Sequence, residues 1–287
     1  MTVKELYKAV KDKLEAGNID SADFEARIII CEILGFSSSD LFIKLNDGVD
    51  ADVSDKALLL CEKRLKGEPL QYLIGKWDFM GRTFKVGEGV LIPRPETEIL
   101  CEKVIDALKN KKDAVVYDLC SGSGCIGITL KNECPDIDIF LVEKSPKALS
   151  YLMKNASELM KNTFYTIING DIFKTELFEL YPEADLIESN PPYIKSDEVP
   201  LLQKEVTFEP EMALDGGEAG RDFYRAIINN WSKKLKPDGE IFFEIGEDQG
   251  EVVSDLFKEI GFDSRVIKDY NNHDRIVKGK KAPYNDI

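Results

Sequence analysis

The spacing of apolar positions changes character twice along the chain. Over residues 1–75 it is helical: Val3, Leu6, Tyr7, Val10 and Leu14 follow Thr2; Phe24, Ala26, Ile28, Ile29, Ile30 and Ile33 follow Ser21; Leu58, Leu59, Leu60, Cys61 and Leu65 follow Ser54. A hydroxyl residue ahead of such a run is an N-cap signal, and Gly35, Gly67 and Pro69 are stop signals. Short polar connections between these amphipathic stretches predict a small helical bundle. No motif in the bundle carries chemistry, so its expected role is substrate docking. Over residues 77–92 the pattern becomes Phe79, Phe84, Val86, Val90 and Leu91, interrupted by Gly81, Gly87 and Gly89. That reads as a β-hairpin joining two domains. The boundaries so drawn are 1–75 for the bundle, 76–93 for the linker and 94–287 for the larger domain.

The larger domain opens with Ile92-Pro93-Arg94-Pro95-Glu96-Thr97-Glu98, whose prolines and acids suit the start of a helix running through Leu100, Val104 and Leu108. Strand and helix then alternate. Strands are predicted at 114–119, 137–142, 164–168, 185–189 and 239–245, and helices at 125–131, 146–161, 221–234 and 251–260. Residues 263–270 and 275–277 predict a closing antiparallel hairpin. Such alternation is the signature of a doubly wound, Rossmann-like parallel sheet in an α/β fold, with ligands held at the carboxyl ends of its strands.

Two of those strand ends carry candidate chemistry. The first strand runs into Asp118-Leu119-Cys120-Ser121-Gly122-Ser123-Gly124-Cys125-Ile126-Gly127, a Gly-x-Gly-x-x-Gly pattern between strand and helix. Its glycines let the backbone turn sharply and approach a ligand. Glu143 ends the next strand, placed to take two ribose hydroxyls. A nicotinamide cofactor and S-adenosylmethionine fit equally to this point. Asp118 separates them, because a carboxylate would repel a pyrophosphate and attract an ammonium or sulfonium. Asp171 and Ile172, after the third strand, suit an adenine amino group and its ring. The second candidate is Ser189-Asn190-Pro191-Pro192-Tyr193, closing the apolar run at 184–187. Two prolines remove two donors and fix two φ angles. The turn then offers carbonyl oxygens and the Asn190 carboxamide to a planar NH2 group, beside the Tyr193 ring.

Composition narrows the partners. The formal net charge is −15, and no long basic run stands against it. That disfavours a free-standing nucleic-acid or membrane-surface binder and suits a small-molecule site or a basic protein partner. Neither a signal region nor a membrane-spanning apolar stretch is evident, so a cytoplasmic location is expected. The six cysteines lack metal-ligand spacing and His273 is the sole histidine, so neither a metal site nor a histidine-based hydrolase is expected. His273 itself reads as part of a polar surface turn.

Taken together, residues 118–124, Glu143, Gly170-Asp171, residues 190–193, Phe208-Glu209-Pro210 and the Pro-Arg-Pro-Glu-Thr-Glu segment resemble the release factor glutamine methyltransferases of the HemK/PrmC type over nearly the whole chain. The resemblance implies a seven-stranded class I methyltransferase fold with S-adenosylmethionine as donor. The implied acceptor is the glutamine of a Gly-Gly-Gln motif in a peptide chain release factor. Carried over by position, Asp118, Cys120, Ser121, Gly122, Ser123, Gly124, Glu143, Asp171, Ile172 and Asn190 serve the cofactor, while Asn190, Pro191, Pro192 and Tyr193 hold the glutamine. A monomer is expected. Cys120 stands where glycine is common, and Glu188 occupies a strand position usually apolar. The alternatives are a glutamine methyltransferase acting on a ribosomal protein, a nucleic-acid amino-methyltransferase sharing Asn-Pro-Pro-Tyr, and a cofactor-binding regulator without activity.

Overall fold

The computed structural model describes residues 1–174 and 179–281; residues 282–287, assigned above to the larger domain, lie outside the described residues. Two compact units are present, Met1–Lys76 with Gln203–Phe208, and Trp77–Leu202 with Glu209–Ile287. No helix among the described residues is long and apolar enough to cross a membrane.

The first unit holds helices α1 (Val3–Ala16), α2 (Ala22–Leu34), α3 (Ser38–Ile43), α4 (Ala51–Leu65) and α5 (Leu70–Ile74). Thr2 closes a capping box on α1: its hydroxyl accepts the Glu5 N–H at 3.2 Å while Glu5 accepts the Thr2 N–H at 2.8 Å. The α1 stripe of Val3, Leu6, Val10 and Leu14 is buried, as are Ala26, Ile29 and Ile30 of α2 and Ala57 and Cys61 of α4. Helix α4 starts a turn before Ser54, whose hydroxyl instead donates to the Asp50 carbonyl at 3.1 Å. Inside the bundle Arg64 is buried, with its Nε donating to Glu25 at 2.6 Å and its Nη2 at 3.1 Å. A second carboxylate, Glu205, pairs with the same Nη2.

The second unit begins with a two-stranded hairpin, β1 (Lys76–Phe79) and β2 (Arg82–Lys85), and helix α6 (Pro95–Leu108). Then come β3 (Val115–Leu119), α7 (Cys125–Glu133), β4 (Asp138–Glu143), α8 (Pro146–Leu159), β5 (Thr166–Asn169), β6 (Ala184–Ser189), α9 (Asp222–Ala226), β7 (Leu235–Glu244), α10 (Gly250–Glu259), β8 (Phe262–Lys268) and β9 (Asp274–Lys281). Among the described residues one sheet has seven strands in the order β5-β4-β3-β6-β7-β9-β8. The first five are parallel, and β9 runs antiparallel to both β7 and β8. Val116, Ile139, Leu141, Leu186 and Phe242 pack on one face with Leu100, Val104 and Leu152; Tyr117, Ile187, Ile241 and Phe243 pack on the other with Tyr224, Trp231 and Phe257. Burial of both faces explains why these strands read as apolar runs rather than alternating ones. The chain winds outward from β3 in one direction and from β6 in the other, which places the topological switch point between them.

Several boundaries depart from the sequence expectation, among them β9, which spans Asp274–Lys281 where 275–277 was expected. Strand β5 starts at Thr166 rather than 164, leaving Phe164 90% exposed. The helix expected over 221–234 is a short α9, a π-helical turn Ile227–Trp231 and a 3-10 turn. Strand β7 begins at Leu235, four residues ahead of the expected 239.

Replacing Arg64 by Met should lower stability by roughly 3–5 kcal/mol, because Glu25 is left as an uncompensated buried charge. Adding Glu25→Leu to the same chain should recover most of the loss. Urea-unfolding midpoints of the two variants check both expectations.

Candidate active site

Strands β3 and β6 end level with each other, Leu119 opposite Ser189. The Ser189 hydroxyl donates to the Leu119 carbonyl at 2.5 Å, so the two chains leave the sheet side by side. The loop after β3 turns through Cys120 at φ +63°, Gly122 at +55° and Gly124 at +81°. A left-handed conformation costs an L-residue roughly 1–2 kcal/mol, so Cys120 holds this turn at a cost that glycine would not have. The loop is closed on itself by Gly124 N–H to the Ser121 carbonyl at 2.7 Å and Ser121 Oγ to the Asp118 carbonyl at 2.9 Å. The third glycine of the motif has a packing role. A Cβ at Gly127 would lie 2.6 Å from Asp118 Oδ2, where its own N–H now donates at 3.0 Å.

Beyond the loop lies a cleft of about 530 Å³. Of the residues expected at the cofactor, Cys120, Ser121, Gly122, Ser123, Glu143, Asp171 and Ile172 line it. Of the expected acceptor turn, Asn190 and Pro192 line it. Glu143 accepts the Gly122 N–H at 2.8 Å on one oxygen and those of Lys144 and Ser145, at 2.8 and 2.7 Å, on the other. Burial pushes its carboxyl upward, and the three N–H bonds oppose that. Asp171 accepts the Phe173 N–H at 3.1 Å and pairs with Lys144 at 3.0 Å. Burial raises the Asp171 carboxyl too, but Lys144 and the N–H outweigh it and leave the group below its ordinary value.

Four expected residues are not brought to the cleft wall. Asp118 is fully buried beneath the loop, so the attraction to a ligand cation expected of it is not what the structure shows. Its side chain leaves β3 on the face of Val116, where it tethers helix α7 through Gly127, and burial pushes it up to about 7. Gly124 faces Leu152 and Ile128, within 2.4 and 2.8 Å of where a Cβ would stand. Pro191 is also absent from the wall. Tyr193 packs against the hydrophobic core on the β6 face that carries Ile187, and its carbonyl accepts from Gln249 at 3.0 Å. The conformation shown therefore does not stack Tyr193 over the cleft. Glu188 has a neighbour that its position in the chain did not reveal, since it stands opposite Asp118 in the β3/β6 register. Burial first, and then the Asp118 charge, push Glu188 well above the carboxylate range.

Sequence reasoning missed the opposite wall, built from residues 89–94, Thr97 and residues 210–213. Buried Glu209 ties it together, accepting the Ile92 N–H at 2.9 Å and pairing with Arg94. Both Phe-Glu-Pro and Pro-Arg-Pro-Glu-Thr-Glu were visible as motifs, but nothing in their order along the chain shows that they meet. Thr97, in the first turn of α6, accepts a hydrogen bond from Asn190 Nδ2 at 3.3 Å.

A parallel sheet with an antiparallel edge pair, a glycine loop at its switch point and a cleft above it define a Rossmann-like class I methyltransferase. Residues 5–75 match the PrmC N-terminal domain and residues 96–218 the methyltransferase small domain. A release factor glutamine methyltransferase of Thermodesulfovibrio yellowstonii is 40% identical over 90% of this chain and 92% of that protein. One of Aquifex aeolicus is 34% identical over 96% and 94%. Among solved structures, a T. thermophilus 16S rRNA N2 G1207 methyltransferase in complex with AdoMet and guanosine shares the fold, with TM-score 0.51 and 16% identity over 72% of this chain and 50% of that one. The chain belongs to the release factor glutamine methyltransferase family.

Because Asp118 holds its proton to about pH 7 when folded but to about 3.8 in the ordinary range, the folded chain binds the extra proton between those values. Its contribution to stability is therefore greatest at low pH and falls as pH rises from about 4 to about 7, by a few kcal/mol. Asp118→Asn should lack this fall, so its stability relative to wild type should rise between pH 5 and pH 8 in paired denaturant titrations.

Proposed function

We propose that this chain transfers a methyl group to the side-chain amide nitrogen of the glutamine in the Gly-Gly-Gln motif of peptide chain release factors, with S-adenosylmethionine as donor. The observation that carries the reading is the position of Asn190 on the wall of the cleft, one strand over from the glycine loop. Family membership supports the choice of acceptor.

The residues present fit the donor. At Gly122 a Cβ would meet nothing nearer than the Cys120 carbonyl at 4.0 Å, so a side chain there would take up cleft space that the glycine leaves free. Glu143 would accept the ribose hydroxyls, Asp171 the adenine amino group, and Ile172 would cover the ring. S-adenosylmethionine, when bound, supplies an electrophilic methyl on a sulfonium sulfur. Carboxylates at the cleft favour such a cation.

The chain's part in the transfer is orientation. An amide nitrogen is a poor nucleophile because its lone pair is delocalised into the carbonyl. Asn190 Oδ1 would accept one N–H of the glutamine and hold the nitrogen in line. That bond strengthens as positive charge develops on nitrogen, so it stabilises the transition state more than the ground state. The Pro191 carbonyl and the Tyr193 ring are assigned here only by the resemblance. Pro192 keeps the turn rigid and forms wall. Residues 1–75 are assigned to docking the release factor, a reading supported by the exposure of Phe42 and Ile43.

The test is transfer of labelled methyl from S-adenosylmethionine to a purified release factor, beside one whose Gly-Gly-Gln glutamine is replaced. Label on the first and none on the second is expected. No label on either, with S-adenosylmethionine still bound, would overturn the choice of acceptor. Asn190→Ala should lower transfer by at least about 100-fold while leaving donor affinity near normal, as expected where the lost hydrogen bond acts mainly in the transition state. Parallel losses in both would remove the role given to Asn190.

A further inference from the structure

A carboxamide has two faces of opposite character, and only its oxygen can hold an amide N–H. Asn190 must therefore present Oδ1, not Nδ2, to an incoming glutamine. In the structure Nδ2 is engaged, donating to Thr97 Oγ1 at 3.3 Å. Thr97 is 2% exposed and sits in the first turn of α6, which starts with Pro95 at its first position. Just ahead of it, buried Glu209 holds residues 92–94 through the Ile92 N–H and the Arg94 guanidinium. The hydroxyl is thus fixed in place by the segment that builds the opposite wall of the cleft.

A hydroxyl can donate or accept, so Thr97 alone would tolerate either orientation of Asn190. The neighbour that decides is Glu244, buried at the end of β7, whose carboxyl is pushed up to about 7 by burial while the Thr97 hydroxyl favours its ionised form. Above about pH 7 Glu244 is ionised, and an ionised carboxylate only accepts. Thr97 has one proton to give. Given to Glu244, it leaves Thr97 as an acceptor, and the group it can accept from is the Asn190 NH2.

We propose that Thr97 is a positioning residue for methyl transfer. With its proton directed to Glu244, it locks the Asn190 carboxamide so that the oxygen faces the acceptor amide. The proposal rests on the role given to Asn190 above and adds the device that sets its orientation. Thr97 itself touches neither reacting atom in this scheme.

The test measures labelled methyl transfer to purified release factor at pH 8, together with S-adenosylmethionine affinity. It uses Thr97→Val, Thr97→Ser, Asn190→Ala and the double variant Thr97→Val/Asn190→Ala. Valine keeps the shape and removes the hydroxyl, and should lower kcat about tenfold, the size of one lost hydrogen bond, with donor affinity within about twofold of wild type. Serine restores the hydroxyl and should restore kcat. In the Asn190→Ala background Thr97→Val should cost nothing further, since its effect runs through Asn190. Full activity of Thr97→Val, failure of serine to rescue, a matching loss of donor affinity, or additive losses in the double variant would each overturn the proposal. The first of these beside an impaired Asn190→Ala leaves the reading of the site standing. Full activity of Asn190→Ala would overturn both.

Discussion

The cleft depends on one strand pairing. Strands β3 and β6 run parallel with Leu119 opposite Ser189, and neither motif can act without the other beside it. A slip of one residue in this register would turn every side chain of β6 to the other face of the sheet. Ile187 would then exchange its place in the core with Glu188 and Leu186. The buried Ser189 hydroxyl reinforces the register where the ladder ends, because it reaches across to the Leu119 carbonyl just as that chain leaves the sheet. Since β4 and β5 lie to one side and β7 to the other, the connections diverge from this point. The space between them is the cleft.

The same pairing produces the most costly feature of the domain. Asp118 and Glu188 are register partners, and Glu244 lies two residues beyond Phe242, which is itself the partner of Glu188. Three carboxyls therefore share one face of adjacent strands, all of them buried. Among the described residues no lysine or arginine forms a salt bridge with any of the three. Keeping them all ionised would carry a heavy desolvation cost. The pair Asp118 and Glu188 avoids it by retaining protons, with burial as the leading cause for each. Their titration belongs to the pair rather than to either residue. Burial pushes Glu244 up to about 7 as well, but there Arg275 and Arg94, besides the Thr97 hydroxyl, favour the charge. That difference makes Glu244 the member of the row suited to direct a hydrogen bond.

Much of this was legible before any coordinates. The glycine loop, the strand ending in Asn-Pro-Pro-Tyr and the alternation of strand and helix each have a local cause, in turn chemistry, in proline's missing N–H and in periodicity. Facing of the two motifs followed from the rule that parallel strands gather ligands at their carboxyl ends. Depth was not legible. Asp118 and Glu143 both end strands in the sequence, yet Asp118 pairs with Leu141, two residues short of Glu143, so Asp118 lies under the loop while Glu143 reaches the cleft. Tyr193 reads as a stacking ring beside two prolines, but it packs against the hydrophobic core on one face of the sheet. The wall made by residues 89–94 and 210–213 was hidden for another reason. Its cohesion comes from Glu209 and Arg94, 115 positions apart, and no local pattern encodes a pairing at that distance.

The arrangement also explains why a site with no histidine suffices for this chemistry. Methylating an amide moves positive charge onto a nitrogen that was neutral, so the protein needs fixed acceptors where that charge appears more than it needs a base. A protonated amide nitrogen is a strong acid and gives up its proton to water unaided. What must be supplied is a carbonyl-type oxygen that cannot rotate away and does not change with pH. A carboxamide meets the second condition, since it does not titrate, but it fails the first on its own, because rotation about its last bond exchanges oxygen for NH2. Proline on both following positions fixes the backbone of Asn190, not its side chain. The orientation has to come from across the cleft, and Thr97 is the side chain found there in contact with it.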